Sequence, residues 1–218
     1  GQSSAGCMGG GDPANGKELA GIIEEIRERK GLEEPFLLAH GLGAQVAMNC
    51  AARCPQHWAG LVLLNPLPVL SAHRSIRPYW AFRAMARMHA SMESMGAEWL
   101  AEKLVWRSMM IEENNNMLQG NNLSLMMRRW VDCDFWKQAA RSRMIKSQRV
   151  PVFMSWSKDD PFVEEALYHE LSQTLTGGPR LVFNDGGHFI QETHADELGS
   201  AILDFLALEE MQRLAGRG

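Results

Sequence analysis

Apolar residues recur along this chain in two alternating rhythms, short unbroken runs and longer stripes spaced by three and four. Leu19, Ile22, Ile23 and Ile26 form a helical stripe between Lys17 and Lys30, and Gly31 ends it. The run Phe36 to Ala39 predicts a strand, and Gly43-Ala-Gln-Val-Ala-Met48 opens a second helix that Pro55 closes. Leu61 to Leu64 is apolar at every position and ends in Asn65-Pro66, the pattern of a strand buried on both faces. Val150 to Trp156 and Arg180 to Phe183 are two further strands. Each leads to a helical stripe, Leu167, Tyr168, Leu171 and Leu175 after the first, Leu198, Ile202, Phe205 and Leu206 after the second. This alternation predicts an α/β fold with an open, mostly parallel sheet flanked by helices.

Residues 72–149 break the rhythm. They are rich in Met and Trp and contain no convincing strand. Phe82, Met85, Met88, Met92 and Met95 fall at steps of three and four, predicting an amphipathic helix that Gly96 ends. Trp99 to Trp106 suggests a second helix, and Leu123, Met127 and Trp130 start a third after two Asn-rich loops. The chain therefore divides into a core of residues 1–71 and 150–218 and an inserted helical unit of residues 72–149. Flexible Met side chains suit a pocket for apolar or varied ligands; equally, Met and Trp at helical spacing pack the insertion onto the core.

With 218 residues and 45% hydrophobic content, the chain can bury a substantial core. Its net charge of -4, without a basic run, gives no electrostatic case for nucleic acid. No apolar stretch approaches the roughly 18 residues of a membrane span, and the N-terminus lacks the basic start and apolar core of a signal peptide. Cys7, Cys50, Cys54 and Cys133 lack metal spacing and are expected to be buried free thiols of an intracellular protein, ahead of a disulfide or a metal site. His57, His73, His89, His169 and His194 are dispersed, so no metal and no cofactor is expected.

The candidate chemistry sits where strands end. Pro35-Phe-Leu-Leu-Ala-His40-Gly41-Leu-Gly43 reads as a strand turning sharply into a helix, the layout of the G-x-S-x-G nucleophile elbow. Its five positions are Ala39, His40, Gly41, Leu42 and Gly43, so glycine occupies the place of the nucleophile. Glycine holds a positive φ without strain, and the turn can therefore survive without a reactive atom. Ser157-Lys-Asp-Asp160-Pro-Phe-Val163 follows the third strand and Asn184-Asp-Gly-Gly-His188-Phe-Ile-Gln-Glu192 the fourth, giving elbow, acid and histidine in that order along the chain. Asp159 competes with Asp160 for the role of the acid.

The order and the elbow resemble the α/β-hydrolase superfamily from end to end, and Gly187-His-Phe-Ile-Gln-Glu192 is most similar to the capped branch of haloalkane dehalogenases, epoxide hydrolases and related esterases. The resemblance implies that Asp160, placed directly before Pro161, is the orienting acid, His188 the general base, Gly41 the vacated nucleophile position and Leu42 a backbone oxyanion donor. By the same resemblance, residues 72–149 are a helical cap with a small apolar ligand beneath it, and His40 supports the turn from below. Gly1 to Gly16 resembles the end of the loop after the family's fourth strand, so the opening strands and the second oxyanion donor are missing. The elbow strand would then need cover on one edge, from the protein's own N-terminal segment or from a protein partner.

Two functions follow as expectations. One is a degenerate hydrolase with a binding, scaffold or assembly role. The other is a hydrolase of an ester, epoxide or related small apolar substrate that uses Asp160 and His188, with Gly41 marking an engineered or natural loss of the nucleophile.

Overall fold

The computed structural model describes residues 16–67, 135–175 and 177–216, together with positions 84, 87, 88, 91 and 95. Helix α1 (Gly16–Arg29) leads to strand β1 (Phe36–His40), helix α2 (Gly43–Arg53), a 3-10 turn begun by Pro55, and strand β2 (Gly60–Leu64). After the insertion come α3 (Phe135–Ser147), β3 (Val152–Ser157), α4 (Glu165–Thr174), β4 (Arg180–Phe183), the single turn α5 (Ile190–Thr193) and the long α6 (Ala195–Ala215). The strands stand in the order β1-β2-β3-β4, and every pair is parallel. Because neighbours connect through helices, the register aligns His40 with Leu64, Leu64 with Ser155 and Ser157 with Phe183. Consequently the four loops that leave the C-terminal strand ends gather at one edge of the sheet, where open α/β sheets build their sites.

The continuous apolar runs are explained by burial on both faces. Every residue of β2 and of β3 is buried. Leu61, Leu63, Met154 and Trp156 pack under the helices of one face with Ala44, Met48 and Tyr168, whereas Val62, Leu64 and Phe153 pack with Phe183, Ile190, Leu198 and Phe205 on the other. Phe205 joins the two ends of this second layer by packing against the rings of both Phe36 and Phe153.

Strand β1 differs. Among the described residues it pairs only with β2, and Leu38 in its middle is 61% exposed. The predicted stripe on α1 is only half used: Leu19 is half-buried and Ile23 packs on the core, but Ile22 and Ile26 are exposed, and Ala20, outside the stripe, is buried.

Helix α3 escapes the apolar pattern for a physical reason. Among the residues of this helix whose burial is described, the buried ones are Gln138, Ser142 and Ile145, at steps of four and three, and two of the three are polar. Ser142 neutralises its own cost by donating back to the carbonyl oxygens of Gln138 and Ala139 at 3.3 and 3.1 Å. Its partner, α2, presents the small residues Ala44, Ala47, Ala51 and Ala52, all buried, which lets helices approach closely. Within the rest of the insertion, Ala84, Arg87, Met88 and Ser91 are helical and Met95 lies in a turn. The expected helices over 99–106 and from Leu123 lie outside the described residues.

The cysteines correct one expectation. Cys50 is a buried free thiol, pushed up to about 12 by burial and by the charge of Glu24. Cys54, beyond the last turn of α2, is disulfide-bonded to a partner outside the described residues. Helical spacing placed these two residues together but carries no information on pairing. No described helix is long and apolar enough to cross a membrane, and the described residues contain no group of His, Cys, Asp and Glu able to hold a metal ion.

Candidate active site

Gly41 sits at φ +55°, a left-handed conformation that disfavours any side chain. The turn is pinned to the neighbouring strand, since the Gly41 N–H donates to Leu64 O and the Gly41 carbonyl accepts from Leu67 N, both at 3.0 Å. Leu42 stands directly before α2 with no side-chain cap. His40, the last residue of β1, donates from Nε2 to the carbonyl of His188 at 2.7 Å and packs its ring against those of His188 and Phe189. Burial first, and then the neighbouring His188, hold the His40 imidazole below the ordinary histidine range.

Asp160 and His188 meet above this turn. His188 donates from Nδ1 to Asp160 Oδ2 at 2.8 Å. In the neutral tautomer that donates from Nδ1, Nε2 is the acceptor nitrogen. A side-chain carbon on Gly41 would lie 3.2 Å from Nε2. Phe162 and Phe189 make T-shaped contacts with the His188 ring at centroid distances of 5.0 and 5.5 Å.

Five donors converge on the Asp160 carboxylate. Besides His188, Oδ2 accepts from Asn65 Nδ2 at 2.7 Å and from the Tyr168 hydroxyl at 2.5 Å, while Oδ1 accepts from the N–H groups of Phe162 and Val163 at 2.8 and 3.2 Å. Burial pushes this carboxyl up, but the hydrogen bond and charge of His188, followed by Tyr168 and Asn65, outweigh it and leave the group below the usual carboxylate range. The same contact drives the Tyr168 phenol the other way: burial and the adjacent carboxylate keep it protonated well above the ordinary tyrosine value. Asp159 has a separate task, accepting from Gly187 N at 2.8 Å. Ser157 Oγ donates to the Gly187 carbonyl at 2.6 Å, so the histidine loop is clamped from both sides of its peptide.

Two of these residues were not singled out as site residues by the sequence. Asn65 looked like a strand end, yet it is fully buried at φ +39° and its amide also reaches Gly187 O at 3.3 Å. Tyr168 looked like one member of an apolar stripe. The signal in both cases was position: Asn65 ends the strand between the elbow and the acid, and Tyr168 lies two turns beyond Asp160.

The chain matches a family model described as the alpha/beta hydrolase fold over residues 9–195. It is 22% identical over 213 residues to a 2-hydroxy-6-oxo-6-phenylhexa-2,4-dienoate hydrolase of Comamonas testosteroni, covering 89% of this chain and 70% of that protein. Among solved structures it resembles a meta-cleavage product hydrolase from Pseudomonas fluorescens IP01, with a TM-score of 0.58 at 14% identity over 88% of this chain and 72% of the other. It also resembles a thermophilic esterase from Thermogutta terrifontis, with a TM-score of 0.59 at 17% identity over 87% of this chain and 71% of the other. A parallel sheet whose turn after β1 faces a histidine and an acid carried by the loops after β4 and β3, matched by that family model along most of its length, places the chain in the α/β-hydrolase family.

Proposed function

We propose that this protein has lost covalent hydrolysis and acts in binding, scaffolding or assembly, with Gly41 as the vacated nucleophile position and His188 and Asp160 as the remaining general base and orienting acid. The observation that carries the reading is the 3.2 Å between His188 Nε2 and the place where a Gly41 side chain would begin. A Ser, Asp or Cys there would meet the base directly, and glycine brings nothing. Leu42 supplies one backbone oxyanion donor. An activity-based fluorophosphonate probe tests this reading: the chain stays unlabelled, and labelling that depends on His188 overturns it. Loss of the nucleophile in such a triad costs about six orders of magnitude in turnover.

A second reading is favoured by the five donors on Asp160, since an intact buried acid and base cost stability unless satisfied. In it the pair activates water against an ester, an epoxide or a related small apolar substrate. Steady release of product from such a substrate, abolished by His188→Ala, selects this reading over the first.

Residues 72–149 serve in either case as a helical cap over a small apolar ligand, with α3 at its C-terminal end fastened to α2 and contributing Ile145 to the core. Leu38, exposed in the middle of β1, supports a cover on the open edge of that strand, a strand-bearing segment from upstream in the same protein or from a partner protein. Neither nucleic acid nor a membrane span enters this function.

A further inference from the structure

The loop that carries His188 is held by side chains. From Asp185 to His188 each carbonyl oxygen accepts from one: Asp185 from His194 Nε2 at 3.0 Å, Gly186 from Thr193 Oγ1 at 3.2 Å, and His188 from His40 Nε2 at 2.7 Å. Gly187 O accepts twice, from Ser157 Oγ at 2.6 Å and Asn65 Nδ2 at 3.3 Å. Among the described residues no backbone amide donates to any of these oxygens. The clamps matter because Gly186 and Gly187, at φ +118° and +62°, have no side chain to limit their backbone.

The second half of the loop is tied to the sheet, since His40 ends β1, Asn65 follows β2 and Ser157 ends β3. The first half depends on residues downstream of the loop itself. Thr193 Oγ1 is shared between Gly186 O and Phe189 O, whereas both acceptors of the His194 Nε2–H, the carbonyl at 3.0 Å and Oδ1 at 3.1 Å, belong to Asp185. The His194 ring is fixed in turn, stacked on Phe183 at the end of β4 with centroids 4.1 Å apart. Gly186 passes so close to this ring that an added side-chain carbon would meet His194 Cδ2 at 2.7 Å.

We propose that His194 is a positioning residue for His188: by holding Asp185 against the ring that ends β4, it fixes the start of the loop and keeps His188 Nδ1 on Asp160. The inference rests on that 2.8 Å bond and not on either reading of what the pair does.

The Nδ1 proton of His188 reports the bond directly. It is read in the full chain with the histidine rings labelled by 15N, and His188→Gln assigns the resonance by removing it. His194→Phe keeps a ring to stack on Phe183 but has no donor for Asp185. Solvent exchange of the His188 Nδ1 proton is expected to become about 5-fold faster, the factor given by one net hydrogen bond. His194→Gln, whose side-chain amide restores a donor, is expected to bring the slow rate back. His194→Leu, without ring or donor, repeats the test should the Phe variant not fold. Backbone amide exchange in β2 and β3, followed in the same samples, registers any general loosening, which is all that a merely structural residue would cause. An unmoved His188 proton in the folded variant, acceleration by the same factor throughout β2 and β3, or no recovery in His194→Gln would each overturn the proposal. Fluorophosphonate labelling succeeds or fails independently of this exchange, so loss of the positioning role is distinguishable from loss of the non-covalent reading.

Discussion

Gly41 and His188 face each other across a gap that one carbon would nearly close: a side chain begun at Gly41 would stand 3.2 Å from His188 Nε2. On the proposed reading His188 is the base, and Gly41 offers it no side chain to act on. This relationship makes position 41 the most informative site for substitution.

Gly41→Ser is expected to be tolerated at a cost of about 1 to 3 kcal/mol, because a side chain must adopt φ +55° there and His188 must yield by a few tenths of an ångström. Its hydroxyl lies next to Nε2 and is expected to accept a fluorophosphonate slowly. If the Leu42 amide is the single oxyanion donor, esterase turnover should remain slight, since one donor fewer costs about 100- to 1000-fold. Single-turnover labelling with urea melts of the same protein measures both halves; turnover typical of a complete esterase would show that the second donor is present.

Tyr168→Phe isolates one of the five donors on Asp160. The ring keeps its stacking on Trp156 at 5.8 Å, so packing is preserved while one hydrogen bond to a charged group is lost. Such a bond is worth about 1.5 to 3 kcal/mol. The expected loss of that size in urea unfolding, with the His188 bond to Asp160 retained, marks Tyr168 as a positioning residue. An unchanged midpoint would mean that Asn65 and the two backbone amides suffice.

Acid stability follows from two groups held below their ordinary values. His40 is lowered in the folded protein, so the unfolded chain binds its proton first, and the stability it supports is present above about pH 6.5 and lost as pH falls through that region. Asp160 is lowered as well, and its contribution is present above about pH 4 and lost as pH falls through its folded value. Urea midpoints measured across this range are expected to fall in two stages, with His40→Gln removing the upper and Asp160→Asn the lower. Retention of the lower stage in Asp160→Asn would assign it to another carboxylate.

Much of this architecture was legible in the sequence because burial on both faces leaves a plain mark. Leu61 to Leu64 and Val150 to Trp156 read as strands, which the structure places at Gly60–Leu64 and Val152–Ser157, and the order of elbow, acid and histidine directed attention to Gly41, Asp160 and His188, whose geometry the structure then supplies. The marks fail where polar residues do buried work. Gln138 and Ser142 hide the inner face of α3, and Asn65 and Tyr168 serve Asp160 from positions that periodicity describes only as a strand end and a helix stripe. Cys54 was misjudged because a disulfide depends on a partner that helix spacing says nothing about.

The open edge of β1 gives the last prediction. A strand that offers unpaired backbone groups beside apolar side chains recruits another strand, and β1 has, among the described residues, a neighbour only in β2 while Leu38 is 61% exposed. The 218-residue chain alone is therefore expected to associate, with a mass above the monomer in size-exclusion chromatography with light scattering. Leu38→Lys, a charge on the exposed face of the edge, should shift that distribution toward monomer without changing far-UV dichroism, because the residue contributes little to either core layer. Amide exchange adds a local test: in the monomeric fraction the β1 amides should exchange faster than those of β2 and β3, which lie between paired neighbours. A stable monomer whose β1 amides are protected as well as those of β2 would remove the need for any cover and with it the proposed partner.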